Sequence, residues 1–423
     1  MRELEERYAA ELVIIGVHSG KYHAERVTER IRDASLRLGV VHPTVNDRQF
    51  RIWRSYAVTA WPTLVVIDPM GSVVGSHAGE FTTAMLIPFI DKLIDAGRTA
   101  GTLDLRPVHF EPDQSGIMPD MLSYPGSVTV EGDRIAVSDS GHHRVLVGSL
   151  TDDGTRMVVD RVIGTGSPGF ENGPTPSFNS PQGLAFSGKT LYVADAANHA
   201  IRTIDVETGD TATLAGTGGQ LRNRADREAG SLSSPWDVTV VGSTLFIAMA
   251  GAHQLWALDL KTKQLRVHSG NGGEDIRDGD HQEALLAQPM GIAASAQRLY
   301  FADAESSAVR WADAAEDGEV KTVIGTGLFD FGDADGVGDE VLMQHQQGVA
   351  LHADGRILVA DSYNDALKWL DPETRSATTW IRGLHEPGGV ACGERYAYVA
   401  DTNAHRIATA NYETGLLGDL LIG

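Results

Sequence analysis

The chain of 423 residues contains one cysteine, Cys392, and no uninterrupted apolar run long enough to cross a bilayer. A single thiol excludes an intramolecular disulfide and any zinc site built from several thiolates. The first residues, Met-Arg-Glu-Leu-Glu-Glu-Arg, are charged throughout and lack the apolar centre of a signal peptide. We therefore expect a cytoplasmic protein that does not bind membranes.

Basic side chains are also scarce, because 35 Lys and Arg stand against 57 Asp and Glu for a net charge of −22. Residues 1–100 hold 12 basic and 12 acidic side chains, so the whole excess of negative charge lies in residues 101–423. A surface of this sign repels phosphate backbones, and nucleic acid is therefore not an expected partner.

A pattern of four short strands recurs six times between Tyr124 and Gly423. Each copy opens on a Pro-x-Gly-like corner, its second strand ends in a polar turn, and most fourth strands close on Gly-Thr-Gly or Gly-Asn-Gly. The corners begin at Pro125, Pro181, Pro235, Pro289, Gln346 and Pro387. Four strands in units of roughly 40–55 residues indicate the blades of a β-propeller.

Two polar columns accompany the repeat. The second strand ends at Asp139, Asp195, Asp303, Asp361 and Asp401, with Met249 as the exception. Four residues further on stand His143, His199, His253, Ser307, Asp365 and His405. A carboxylate at a strand end can accept hydrogen bonds from the N–H groups of the turn, so we predict a structural role for the Asp column. The imidazoles could supply nitrogen ligands to zinc, but a repeat position needs no common ligand. We therefore favour a structural role for them too, and we expect no metal and no other cofactor.

The links between blades are long and acidic, and two sequence patterns in them resemble known functional motifs. The segment Asp330–Glu340 resembles part of a calcium-binding loop, with oxygen ligands at alternate positions. It lacks the correctly spaced first Asp of such a loop and the Glu at its twelfth position. Gly164-Thr-Gly-Ser-Pro-Gly169 matches a dinucleotide motif, yet no helix is expected to follow it. In antiparallel blades these links and the polar turns share one face. We predict that a ligand or partner binds on that face at His143, His199, His253, Asp365, His405, Asp278, Asp280, Asp333 and Asp335. The residues that break the repeat, Met249, Ser307 and Asp365, are the first to examine.

Residues 1–98 have a different pattern, which predicts an α/β arrangement in the order α-β-α-β-α-β-β-α. An apolar run at residues 12–17 is expected to be a central strand. The helices are expected near residues 1–10, 22–38, 50–56 and 81–96, and the other strands at 44–46, 61–68 and 73–77. Residues 99–121 read as a linker, in which 103–110 could pair as an outer strand.

The block Tyr56-Ala-Val-x-x-Trp-Pro62-Thr-Leu-Val-Val-Ile-Asp68-Pro-x-Gly71 resembles the second half of a thioredoxin-fold domain. The resemblance implies that Pro62 is the cis-proline of that family. The family's first strand and Cys-x-x-Cys are absent from this chain, and dithiol chemistry requires a thiolate. Either the domain is a degenerate docking piece, or the chain is truncated at its start.

The Asp-x-x-Asn-His turns and Pro-x-Gly corners resemble NHL repeats. Together with the N-terminal block they resemble NHL-repeat-containing proteins with a thioredoxin-like domain. The predicted fold is mainly β: a six-bladed NHL-type β-propeller at residues 122–423, preceded by a partial α/β thioredoxin-like domain at 1–98.

The chain contains no complete catalytic constellation, and we assign no catalytic residue. We predict a binding or scaffold protein that uses the loop face of an acidic propeller to hold a protein or peptide partner. The alternative is a thiol-disulfide oxidoreductase whose dithiol lies upstream of Met1. A weaker hypothesis is a zinc-dependent propeller enzyme, because the peptidyl-amidoglycolate lyases bind zinc through propeller histidines.

Overall fold

The computed structural model describes residues 1–106, 110, 121–223, 226–227 and 229–423. The chain divides into two compact units, Met1–Met118 and Pro119–Gly423. Most of the predicted linker, 99–121, lies outside the described residues. Among the helices that are described, none has the length and apolar character needed to span a membrane.

The first unit has the predicted order of helices and strands. Its helices and strands are α1 Arg2–Arg7, β1 Gly16–His18, α2 Thr28–Arg37, β2 Thr44–Asn46, α3 Arg51–Ser55, β3 Thr63–Ile67, β4 Val73–Ala78 and α4 Thr83–Ala100. Strand β1 pairs in parallel with β2, and β3 pairs in antiparallel with β4. The Trp61–Pro62 peptide bond is cis.

The prediction of a central strand at residues 12–17 is wrong. The strand begins only at Gly16, and within the described residues β1 pairs with β2 alone. Leu12 and Ile14 instead pack on the cluster that Leu4 of α1 forms with Ile90 of α4. The apolar run is thus explained by contact with helices rather than by two strand neighbours.

Two helix boundaries also differ from the prediction. Helix α2 begins at Thr28, because a separate 3₁₀ turn occupies Ala24–Arg26. Helix α4 continues to Ala100 and ends where Gly101 adopts a left-handed conformation with φ 68°, a common helix terminator. Residues 103–106 form no strand, and 107–109 lie outside the described residues.

The second unit is a six-bladed β-propeller, which confirms the predicted fold class. Each blade is an antiparallel four-stranded meander. Blade 1 consists of β5 Ser127–Glu131, β6 Arg134–Asp139, β7 Arg144–Leu150 and β8 Arg156–Ile163, and blade 2 of β9 Pro181–Ser187, β10 Thr190–Asp195, β11 Ala200–Asp205 and β12 Thr211–Ala215. Blade 3 consists of β13 Pro235–Val241, β14 Thr244–Met249, β15 Gln254–Asp259 and β16 Leu265–Ser269, and blade 4 of β18 Pro289–Ala294, β19 Arg298–Asp303, β20 Ala308–Asp313 and β21 Glu319–Ile324. Blade 5 consists of β23 Gly348–Leu351, β24 Ile357–Asp361, β25 Ala366–Asp371 and β26 Ser376–Arg382, and blade 6 of β27 Pro387–Cys392, β28 Tyr396–Asp401, β29 Arg406–Asn411 and β30 Leu417–Asp419.

Three two-residue strands lengthen blades at their outer edges. Within the links, β17 Gly279–Asp280 pairs with β21, and β22 Gly336–Val337 pairs with β26. The third, β31 Leu421–Ile422, leaves blade 6 and pairs in parallel with β8 of blade 1. The end of the chain therefore closes the ring by joining the last blade to the first.

The core lies between the blades. In the described part of the propeller, six apolar clusters each join two neighbouring blades, and one of them joins blade 6 to blade 1. The second strand of each blade is packed on both faces: Ile135 and Val137 face one neighbouring blade, Ala136 faces the other, and all three are fully buried. This double burial explains why the second strands are apolar up to the Asp that ends them.

The meander places two kinds of connection on opposite faces. We call the face with the turns after the second strands and the links between blades the loop face. We call the other, with the turns between first and second and between third and fourth strands, the hairpin face.

Candidate functional site

The polar turns of the loop face have one geometry. Each second strand ends in a single 3₁₀ turn, and the next residue is left-handed with φ between 49° and 56°. Histidine and aspartate tolerate this conformation better than most residues. The left-handed positions are His143, His199, His253, Ser307, Asp365 and His405.

Each of these side chains accepts a hydrogen bond from a backbone N–H of the following blade. His143 Nδ1 lies 3.1 Å from the nitrogen of Ser180, and His405 Nδ1 lies 3.2 Å from that of Tyr124. The latter bond joins blade 6 to blade 1. The equivalent acceptors are His199, His253, Ser307 and Asp365. The column therefore fastens successive blades together.

This bond fixes the chemistry of the imidazoles. Because Nδ1 accepts, the proton must lie on Nε2 and the ring must be neutral. Burial lowers the pKa of His143 and His199, which favours the same state. The described residues contain no group of three His, Cys, Asp or Glu side chains that could hold a metal ion. Ser307 and Asp365, which break the pattern in sequence, make the same bond as the histidines.

In the five blades that have it, the Asp at the end of the second strand binds groups of its own blade and of the link before it. In blade 2, Asp195 accepts from the backbone N–H of Asn179 at 2.8 Å and from Arg202 at 2.9 Å. Asp195 and the Arg202 guanidinium are both inaccessible to solvent. At the same position of the third strand, Arg310 pairs with Asp303, and Lys368 lies 4.0 Å from Asp361. In blades 1 and 6 the partner of the Asp is instead the partly exposed Arg that begins the third strand, Arg144 for Asp139 and Arg406 for Asp401.

The same buried cations hold the acidic links. Arg310 contacts Asp278 at 3.1 Å, and Asp278 also accepts from Thr322 of the outer strand. In blade 5 the Lys368 ammonium lies 2.9 Å from Asp333 and 2.8 Å from Asp335. A protein cation thus occupies the position that the calcium hypothesis gave to a metal. Asp280 is exposed on β17.

Electrostatics agrees with this arrangement. Burial opposes ionisation of Asp335, but the hydrogen bonds from Lys368 and Thr379 outweigh it and lower the pKa of the carboxyl group to about 2. The hydrogen bond from Arg382 is the main cause that lowers the pKa of Asp333. Asp333 and Asp335 are therefore ionised and already paired with protein cations.

We call the ion pair between the Asp that ends a second strand and its basic partner the clamp of that blade. Blade 3 has apolar packing in place of a clamp. Met249 takes the place of the Asp, and Trp256 takes the place of Arg202 or Arg310; both are buried in the cluster between blades 2 and 3. Arg227 of the preceding link lies over the Trp256 ring at 5.8 Å. The two exceptions in the sequence compensate each other, since these two positions of blade 3 hold neither an acid without its base nor a base without its acid.

The first strands enclose a cavity of about 290 Å³ on the propeller axis, which we call the axial funnel. Its walls are β5, β9, β13, β18, β23 and β27, from the third repeat position to the hairpin face. At that third position the strands touch one another. A Cβ on Gly348 would overlap the carbonyl oxygen of Gly388, and one on Gly291 would lie 2.8 Å from the Cα of Gly348. Glycine permits this approach, so the funnel is narrow at the loop face and widens toward the hairpin face.

Asp237 lies at the narrow end of the axial funnel, and sequence reasoning missed it. Its carboxylate accepts from the backbone N–H groups of Val238 at 2.8 Å and Ile292 at 3.0 Å, and it covers the space that a Cβ on Gly183 would need. Burial raises the pKa of Asp237 to about 7. The signal in the sequence was that blade 3 has Pro-Trp-Asp where most blades have Gly at the third position.

The single thiol is not poised for chemistry. Cys392 lies at the end of β27, and burial raises the pKa of its thiol to about 11. Thiolate, the nucleophilic form, is therefore scarce at neutral pH.

Comparisons with known proteins agree with this architecture. The model of the NHL repeat matches residues 122–147. NHL repeat-containing protein 2 of Gallus gallus is 36% identical over 482 aligned positions, which cover 100% of this chain and 65% of that protein. SUPPRESSOR OF QUENCHING 1, chloroplastic, of Arabidopsis thaliana is 35% identical over 99% of this chain and 43% of its own length.

Among solved structures, a protein of unknown function from Bacteroides thetaiotaomicron VPI-5482 has a TM-score of 0.50 at 15% identity, covering 69% of this chain and 70% of that one. Such a likeness concerns the fold alone. The chain spans less than two thirds of the length of the curated relatives named above. The chain is thus a six-bladed propeller with one segment that matches the NHL repeat, and along nearly its whole length it is similar to NHL repeat-containing protein 2.

Proposed function

We propose that the protein is a binding scaffold whose propeller holds a protein or peptide partner on the loop face. The observation that carries this proposal is the rigid fastening of the links. Arg202, Arg310 and Lys368 each tie a link to the blade that follows it. Loops held on a rigid scaffold lose little conformational entropy when a partner binds, and they are where binding usually occurs.

The charge of the loop face favours a basic partner. Several carboxylates of the links form ion pairs with the buried Arg and Lys side chains of the blades. Glu274 and Asp275, in the link before blade 4, are exposed. The propeller also carries most of the excess negative charge of the chain. Such a surface raises the rate of encounter with a positively charged partner and disfavours acidic ones.

The test compares three full-length proteins: the wild type, Glu274→Lys/Asp275→Lys on the loop face, and Asp152→Lys/Asp210→Lys on the hairpin face. All four positions are exposed, so the variants should fold alike. Affinity capture followed by cross-linking should give a partner that the hairpin-face variant keeps and the loop-face variant loses, with cross-links in the links. A partner set that is the same for all three proteins, or lost only with the hairpin-face variant, contradicts the proposal.

For the first unit we propose a redox-inactive docking role, since the one cysteine of the chain lies in the propeller. The assignment of Pro62 to a thioredoxin-like cis-proline and the oxidoreductase with an upstream dithiol both stay predictions. So do the cytoplasmic location and the absence of nucleic-acid partners.

A further inference from the structure

The axial funnel contains a carboxylate without a counter-ion. In the described part of the chain, the hydrogen bonds to Asp237 come from two backbone N–H groups, and no Lys, Arg or His side chain forms an ion pair with it. By contrast, each carboxylate that ends a second strand has a basic side chain nearby. A carboxylate removed from bulk water is costly unless a cation or a proton neutralises it.

We propose that the axial funnel binds an organic ammonium group at Asp237, with its alkyl chain along the funnel wall. The group is either that of a free alkylamine or that of a lysine side chain from another protein. The funnel opens on the hairpin face, so the inference does not depend on the loop-face proposal and goes beyond it.

The walls suit such a ligand. The lining of the funnel includes the small residues Ala185, Ala293, Ala350 and Ala391, which leave room beside the strand backbones for a methylene chain. The hydroxyl-bearing residues Thr129 and Thr239 also line it. An ammonium group has three donors that a carboxylate, hydroxyl groups and backbone carbonyls can satisfy. The volume of about 290 Å³ is at the lower end of the range for small-ligand pockets.

Other cations fit less well. Divalent ions take about six or more oxygen ligands, usually including several carboxylates. The described residues contain no group of three acidic or imidazole side chains to provide them. A guanidinium prefers a bidentate carboxylate, but each oxygen of Asp237 already accepts a backbone N–H.

Isothermal titration calorimetry of the full chain with butylamine tests the proposal, with 1-butanol as the neutral probe of the same size. Butylamine should bind and butanol should not. Asp237→Asn keeps the shape and an acceptor for the Ile292 N–H, and should weaken butylamine binding by at least about tenfold because the charge is lost. Asp210→Asn, an exposed carboxylate on the hairpin face, should leave the binding unchanged.

A second arm separates the two sources of the ammonium group. The second ligand is Nα-acetyl-lysine amide, which keeps the side-chain ammonium group. If it binds more tightly than butylamine, the funnel is assigned to a protein side chain; if butylamine alone binds, the funnel is assigned to a free amine. The proposal is overturned if neither ligand binds the wild type, if butanol binds as well as butylamine, or if Asp237→Asn binds butylamine as the wild type does. If that variant does not fold, the comparison of amine with butanol on the wild type still decides.

Discussion

Replacing Arg202 by methionine tests the clamp of blade 2, because both charges of its ion pair are fully buried. The guanidinium lies 2.9 Å from Asp195 and also donates to the carbonyl groups of Ser177 and Glu171. The substitution leaves the Asp195 carboxylate without its positive partner. Breaking a buried pair in this way costs about 3–5 kcal/mol, so the free energy of unfolding of the propeller should fall by that amount.

Removing both charges should cost less than the two single substitutions together. Blade 3 carries Met249 and Trp256 at the equivalent positions, so an apolar pair is compatible with the blade. The loss of unfolding free energy in Asp195→Met/Arg202→Met should be smaller than the summed losses of Asp195→Met and Arg202→Met. We expect the difference to be about 0.5–3 kcal/mol, the usual range for groups in contact.

Equilibrium denaturation in guanidinium chloride, followed by circular dichroism, measures these differences. Lys189→Met is the matched control, because Lys189 and Glu207 form an ion pair on the surface with 71% and 60% of their side chains exposed. Its midpoint should equal that of the wild type. The clamp interpretation fails if Arg202→Met has the midpoint of Lys189→Met, or if the double substitution is no better than additive.

Three further predictions concern the packing of the blades. Burial lowers the pKa of His268 to about 4, so the folded protein binds fewer protons there than the unfolded chain does. The free energy of unfolding should therefore fall as the pH drops from about 6.5 toward 4. The urea midpoint should fall less over this pH range in His268→Phe than in the wild type. Gly183→Ala should lower the melting temperature strongly because its Cβ would overlap Asp237. Gly219→Ala should not, because its Cβ would meet only ordinary contacts, at 3.6 Å from Thr217 and 4.0 Å from Ser231. Removing 421–423 should speed amide exchange in β8, because the parallel pairing of β31 is lost; unchanged exchange would contradict its role in ring closure.

The fold of the propeller was predictable because the same local signals recur in six copies. A corner, a buried strand and a polar turn each depend on a few neighbouring residues, and repetition removes the ambiguity of a single copy. In the first unit the apolar run at residues 12–17 occurs once, and its contact with α4 cannot be read from its period. The strand prediction there was therefore wrong at its boundary and in its neighbours.

The candidate site was less predictable because its contacts are long-range. The sequence showed that the His and Asp columns exist, and it favoured structural roles for them. It did not show that His143 reaches the next blade, or that Lys368 would lie between Asp333 and Asp335. Asp237 was overlooked although it departs from the repeat, because only the closed ring places that position on the propeller axis.

The central claim is that the repeated histidines hold the blades together as neutral acceptors and are not ligands. Nitrogen-15 NMR of the imidazoles at about neutral pH measures this directly, with assignment by single substitution of His143, His199, His253 and His405. We predict neutral rings protonated on Nε2, with Nδ1 shifts typical of a hydrogen-bond acceptor and no change when zinc is added. Charged rings, the opposite tautomer or shifts that move together on adding zinc would contradict the account.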